Sequence, residues 1–241
     1  MLTPVQTPPP QAVQKPGSVR RFRVSRAAVT LIAAAVAVAL VRAVVVQSFV
    51  IPSGSMEPTL RIGDRVLVAR YSHLFGPPSR GDVIVFDGEG VFEPASDRTD
   101  SALAGAGRAV ASAFGLPVGA TDYVKRVIGV PGDRVACCDS QGRITVNGIA
   151  FHEPYLEPGE AASAIRFDIV VPAGRLWVMG DHRSDSADSR AHLGDPGGGT
   201  VPVDRVVGRV LGVFWPASRL GMLADPSYGP ISPARLVEGT G

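Results

Sequence analysis

The apolar positions of the chain fall into one long block followed by many short ones. Between residues 27 and 46 only Thr30 and Arg42 interrupt a run of small and aliphatic side chains. About 20 apolar residues span the hydrocarbon of a bilayer as a helix. The run therefore predicts a transmembrane helix over 27–47. Before it, residues 1–19 are rich in Pro, Gln and Thr, lack apolar periodicity and read as disordered. Arg20, Arg21, Arg23 and Arg26 follow, so 1–26 is a basic tail expected in the cytoplasm. The chain would then be a single-pass protein of the cell membrane, with everything after the helix extracytoplasmic. A basic segment before an apolar run also describes a cleavable secretion signal. Here the apolar character continues past Arg42, and no small-x-small cleavage site follows. The retained anchor is favoured, with Arg42 snorkelling at its outer end.

Beyond the anchor the pattern changes from a block to alternation. "RVLVARY" (65–71), "DVIVFD" (82–87), "YVKRVIGV" (123–130), "RVACCD" (134–139), "RITVNGIAF" (143–151), "LWVMG" (176–180) and "RVVGRVLGVFW" (205–215) are short and rich in Val, Ile and aromatics. Gly-Asp, Pro-Gly-Asp and Asn-Gly turns separate them, and "VNGIAF" is a hairpin signal. This predicts a mainly β, antiparallel domain over 48–215 rather than a parallel α/β sheet. Residues 92–121 interrupt it as an inserted excursion, with a short Ala-rich helix about 101–114. Residues 191–202 read as a Gly-rich loop, and 216–241 as a loosely ordered tail. Internal repeats and a second membrane span are absent.

Composition narrows the chemistry. A net charge of +2 gives no surface for a polyanion, so nucleic acid is not an expected partner. Cys137 and Cys138 are adjacent and form no disulfide framework or zinc spacing. They read as two small apolar strand residues, with an oxidised pair or an intermolecular bridge as the alternatives. Of 24 basic residues only Lys15 and Lys125 are lysines, so Lys125 is the one lysine after the anchor. Arg keeps its proton in a protein, whereas a buried lysine can titrate near neutrality and act as a general base. Alternation puts Tyr123, Lys125 and Val127 on one strand face. The bland alternative is a surface lysine left by codon bias.

Two further runs could meet such a base. In "IPSGSMEPTL" (51–60), Ser55 needs an adjacent base to become a nucleophile. Backbone amides of a tight loop there could face a developing oxyanion. Taken alone, Ser-Gly-Ser is equally an ordinary turn. "GDHRSDSADSR" (180–190) follows an apolar strand and is either a solvated loop or a set of braces. Asp181, His182, Asp185 and Asp188 lack the spacing of a calcium loop, so no metal and no cofactor is expected.

In combination these runs resemble the bacterial type I signal peptidases, or leader peptidases, of actinobacterial kind. The matching stretches are "IPSGSMEPTLRIGD" (51–64), "RGDVIVF" (80–86), "DYVKRVIGVPGD" (122–133), "GDHRSDSADSR" (180–190) and "VPVDRVVGRV" (201–210), in the family's order behind an anchor. The resemblance implies a serine endopeptidase with a mostly antiparallel β fold that cleaves signal peptides after Ala-x-Ala. It implies Ser55 as nucleophile, Lys125 as general base, and Ser53 with the Ser55 N–H as oxyanion hole. Ser186 would orient the lysine, and Asp188 with Arg190 would form a structural ion pair. Phe49, Ile51, Leu60, Tyr123 and Val124 would line shallow substrate pockets. The implied partners are signal peptides of secreted preproteins, the lipid bilayer and a neighbouring secretion translocon. His182 and Asp185 depart from the Asn that many members carry there. Val46 and Ser55 are nine residues apart, a reach of about 30 Å at most, which keeps the serine near the membrane boundary. Self-cleaving repressors share the dyad, but the anchor and the lack of a DNA-binding helix-turn-helix argue against that class. An inactive anchored peptide-binding domain would not need both Ser55 and Lys125.

Overall fold

The computed structural model describes residues 29–30, 46–70, 76–94 and 121–224. The chain divides into two compact units, 1–37 and 38–241. In the first, Val29 and Thr30 are described and are helical. The rest of the predicted span up to residue 45 lies outside the described residues. So do the helix expected about 101–114 and residues 225–241. Among the described residues no helix is long and apolar enough to cross a membrane.

Among its described residues the second unit has twelve strands. They are β1 (Val46–Val50), β2 (Arg65–Arg70), β3 (Val83–Asp87), β4 (Asp122–Gly129), β5 (Arg134–Cys137) and β6 (Ile144–Val146). Then follow β7 (Ile149–Ala150), β8 (Phe167–Val170), β9 (Arg175–Met179), β10 (Val201–Pro202), β11 (Val206–Trp215) and β12 (Gly221–Met222). One sheet runs β1-β2-β11-β3-β4-β9-β10, with β12 paired to β11. A smaller sheet runs β7-β6-β5-β8. All strand pairings are antiparallel, as the alternation predicts. The β6–β7 hairpin turns at Asn147 and Gly148, whose φ values of +55° and +78° match the paired positive φ of a type I′ turn.

The short apolar runs are explained by what covers each face. In β3, Val83 and Val85 enter a core with Ile51, Met56, Leu60, Val66 and Val210. Ile84 and Phe86 enter another with Val127, Leu176 and Val178. Both faces of the strand are buried, so "VIVF" is continuous rather than alternating. A third core packs Val135, Ile144, Val146 and Phe167 of the smaller sheet against Ile128, Trp177 and Met179.

Three features differ from the sequence reading. β1 begins at Val46, inside the predicted span, because a Val-rich run suits a strand as well as a bilayer helix. β8 was not expected; its Phe167 and Ile169, with the following Val171, alternate toward the third core. The predicted tail begins with order: β12 pairs with β11, and Arg219 bonds Asp64. Cys137 and Cys138 are joined by a disulfide at the end of β5, which is the oxidised alternative.

The main sheet depends on a close approach at Gly208. A Cβ there would lie 2.2 Å from the Ala69 carbonyl oxygen on β2 and 2.7 Å from Val68 Cγ1. Backbone cannot yield as a side-chain tip can. Gly208→Ala is expected to cost about 2–4 kcal/mol of stability, read as a lower midpoint of thermal unfolding. An unchanged midpoint would show that β2 and β11 can separate freely.

Candidate active site

Residues 51–64 form a closed loop between β1 and β2. Ile51 N–H donates to the Asp64 carbonyl and Gly63 N–H to the Ile51 carbonyl, each at 2.9 Å. Within it Glu57 N–H donates to Gly54 and Leu60 N–H to Met56, making a turn that carries Ser55 at its start. Met56 and Leu60 are buried beneath. A small polar segment is thus held out by two apolar anchors.

β4 brings Lys125 to this loop. The Lys125 ammonium donates to Ser55 Oγ at 2.8 Å across 70 residues of sequence. Tyr123 and Val127 share a core with Phe86 and Val178, so the face predicted from alternation does point inward. Lys125 is 4% exposed. Burial pulls its amine from 10.5 down to about 8. Asp188, Asp181 and Asp185 push it up and Arg190 down, but desolvation is the largest effect. An amine that loses its proton near 8, in contact with a hydroxyl, can take that hydroxyl's proton.

Ser53 Oγ lies 3.4 Å from Ser55 Oγ on the exposed side of the loop. Behind the pair, residues 180–190 fold back onto β9. Asp188 accepts from Arg190 Nε at 2.9 Å and Nη2 at 2.7 Å, and also from the Gly180 N–H at 2.9 Å. Burial would raise the Asp188 carboxyl, yet the Arg190 guanidinium and the Gly180 amide hold it below the usual carboxylate range. The Ser186 hydroxyl is buried beside Asp188, whose carboxyl it helps to hold down, and among the described contacts it has no bond to Lys125. It sits against Gly180, where an added Cβ would come within 2.2 Å of it and 2.5 Å of the Ser55 carbonyl oxygen.

A groove of about 340 Å³ opens over Ser55 and Lys125, lined also by Ile51, Tyr123, Val124 and Asp122. Of the five residues expected to line pockets, Ile51, Tyr123 and Val124 do so. Leu60 is instead buried in the core with Val66 and Val213, and Phe49 packs half-buried against that core. Asp122 is pushed up to about 6, first by burial and then by Asp87, its cross-strand partner. Among the described residues no three His, Cys, Asp or Glu side chains could hold a metal ion.

Several supporting residues were not singled out from sequence. Arg126 points away from Lys125 and grips Asp181 through Nε at 2.8 Å and Nη2 at 2.6 Å. Its guanidinium also reaches the Gly81 carbonyl and lies 3.9 Å from the Tyr155 ring centre. Thr59 Oγ1 donates to Asp181 at 2.5 Å, tying the serine loop to this pair. Arg183 is held by Glu153 and donates to the Gly180 and Ala162 carbonyls. Alternation put Arg126 on the face opposite Lys125, and the structure shows that this face is buried too.

The chain also resembles known proteins. Residues 24–215 match the family described as "Signal peptidase, peptidase S26". A probable signal peptidase I of Mycobacterium leprae (strain TN) is 40% identical, over 73% of this chain and 71% of that one. A signal peptidase I of Mycobacterium tuberculosis (strain CDC 1551 / Oshkosh) is 37% identical, over 89% of this chain and 81% of that one. A solved signal peptidase I of Enterococcus faecalis V583 aligns at 23% identity with a TM-score of 0.35, covering 56% of this chain and 97% of that one. With the family match spanning both the serine loop and the lysine strand, the chain belongs to the signal peptidase family of serine endopeptidases, peptidase S26.

Proposed function

We propose that this chain removes N-terminal signal peptides from exported preproteins, cleaving after an Ala-x-Ala site with Ser55 as nucleophile and Lys125 as general base. The observation that carries this reading is the 2.8 Å contact between Lys125 Nζ and Ser55 Oγ, made by an almost wholly buried amine. In the reaction, neutral Lys125 accepts the Ser55 proton as Oγ attacks the scissile carbonyl. The tetrahedral oxyanion is received by the Ser55 N–H and the Ser53 hydroxyl. The lysine then returns the proton to the leaving amine, and an acyl-enzyme remains on Ser55. Water, activated by the same amine, releases the signal peptide. Ser186 steadies the amine once Oγ has left it, and the Asp188–Arg190 pair holds the loop that carries Ser186.

The groove walls of Ile51, Tyr123 and Val124 suit small side chains beside the scissile bond. Phe49 and Leu60 bear on specificity from beneath, by shaping the core under those walls. The anchor over 27–47, with the N-terminus in the cytoplasm, would keep enzyme and signal peptide in one bilayer and raise their effective concentration. The enzyme would then work beside the secretion translocon, where signal peptides enter the bilayer.

Ser55→Ala and Lys125→Met should each lower preprotein processing by about a thousandfold or more, with thermal unfolding kept near the wild type. Incubating purified protein with a preprotein checks this; a Ser55→Ala enzyme that still processes would remove Ser55 from the role. Lys125→Arg should be equally inactive, because arginine keeps its proton. Near-normal turnover by that variant would exclude the general-base role.

The pH dependence has a definite sign. The amine is active when neutral, so kcat/KM should rise about tenfold per pH unit below about 8 and level off above it. A rate that is flat between about pH 6 and 9 would contradict the lysine base.

A further inference from the structure

His182 occupies the turn after β9 and faces the serine loop. Its main-chain N–H donates to the Ser55 carbonyl at 3.2 Å. Its ring Nδ1 lies 3.3 Å from the Gly54 carbonyl oxygen. A carbonyl oxygen only accepts, so Nδ1 carries the proton in this contact. One residue therefore holds two successive carbonyls of the loop.

The Gly54 carbonyl and the Ser55 N–H belong to the same peptide group, which is planar and rigid. Glu57 N–H donates to the same oxygen from within the loop at 2.9 Å, and the His182 ring adds a second restraint from outside it. Together they fix the direction in which the Ser55 N–H points. A donor on the oxygen also polarises the peptide and strengthens its N–H as a donor. Gly180 completes the fit. Lacking a Cβ, it lets the turn come close to the Ser55 carbonyl, where a side chain would stand 2.5 Å away. The Thr59–Asp181 bond fixes the far side of the loop to the neighbour of His182. Among the described contacts, His182 has no hydrogen bond to Ser55 Oγ or to Lys125, so a base role has no geometry behind it.

We infer that His182 is a positioning residue, which aims the Ser55 N–H at the oxyanion by holding the Gly54–Ser55 peptide plane through its Nδ1–H. The inference rests on Ser55 being the nucleophile. It assigns a task to a residue of the polar run after β9 with no hydrogen bond to the reacting hydroxyl among the described contacts. It also makes asparagine the informative replacement. The amide nitrogen of Asn and the Nδ1 of His are both δ atoms on the γ branch, so Asn can donate to the same oxygen. The amide of Gln lies one bond further out, where it matches Nε2 instead.

The test uses the full-length chain and a preprotein substrate, comparing His182→Asn, His182→Gln and His182→Leu with wild type and Ser55→Ala. His182→Leu and His182→Gln should lose about tenfold in kcat with KM within about twofold, less than the 10²–10³ typical of deleting an oxyanion donor. His182→Asn should stay within about threefold of wild type, with all three unfolding at similar temperatures. Wild-type kcat in His182→Leu would overturn the inference. So would equal losses in all three variants, or losses that follow the unfolding temperature, since either outcome means bulk packing rather than a directed bond. Full activity in Ser55→Ala would instead sink the nucleophile assignment, which separates the two failures.

Discussion

The desolvated amine of Lys125 is the constraint on which the rest of the site depends. Three aspartates surround it, and each alone would favour the charged form. Two of the three are committed elsewhere. Asp188 is held in two bonds by Arg190, and Asp181 in two bonds by Arg126. Arg190 offsets part of the Asp188 field at the amine. Burial outweighs what the aspartates still contribute, and burial favours the neutral base. A buried ion pair is weak evidence for stability, because desolvation offsets much of the Coulomb gain. Here the pairs do something else. They let acidic residues stand beside a lysine without locking it in the protonated state.

The same pairs hold the backbone that holds the serine. Successive strand residues point to opposite faces, so Lys125 faces the serine while Arg126 faces away. Arg126 binds Asp181, Asp181 accepts from Thr59, and Thr59 belongs to the serine loop. The register of β4 thus sets both the base and its brace. Arg219, from beyond β11, reaches Asp64 and the Thr59 carbonyl and closes the loop from the other end. A strand shifted by one residue would exchange the two side chains and lose both functions.

Much of this was legible in the chain. The strands β2 to β6, β9 and β11 follow short runs rich in Val, Ile and aromatics set between turn residues, which are local properties. Asn147-Gly148 announced its hairpin because few residue pairs tolerate two positive φ values. Ser55 and Lys125 were legible as a pair only through the resemblance of several spaced runs. β1 was hidden, since Val46–Val50 continues an apolar run that a membrane helix would also use. The apolar character of Phe49 and Leu60 suits a groove wall, but Leu60 is fully buried and Phe49 packs against the same core as Ile51. An apolar side chain states its preference for burial and not which neighbour will bury it.

Sequence by itself determined the strand face shared by Tyr123, Lys125 and Val127, and the small turn that presents Ser55. It also made a titratable amine available by keeping one lysine among arginines. Only the tertiary structure decided that this face is buried and that Ser55 stands 2.8 Å from the amine. It alone brought the Nδ1 of His182 to the Gly54 carbonyl, 128 residues away in the chain. Local pattern sets the direction of a side chain relative to its own strand. What stands opposite depends on strand register and loop closure, which are settled by the packing of the whole core.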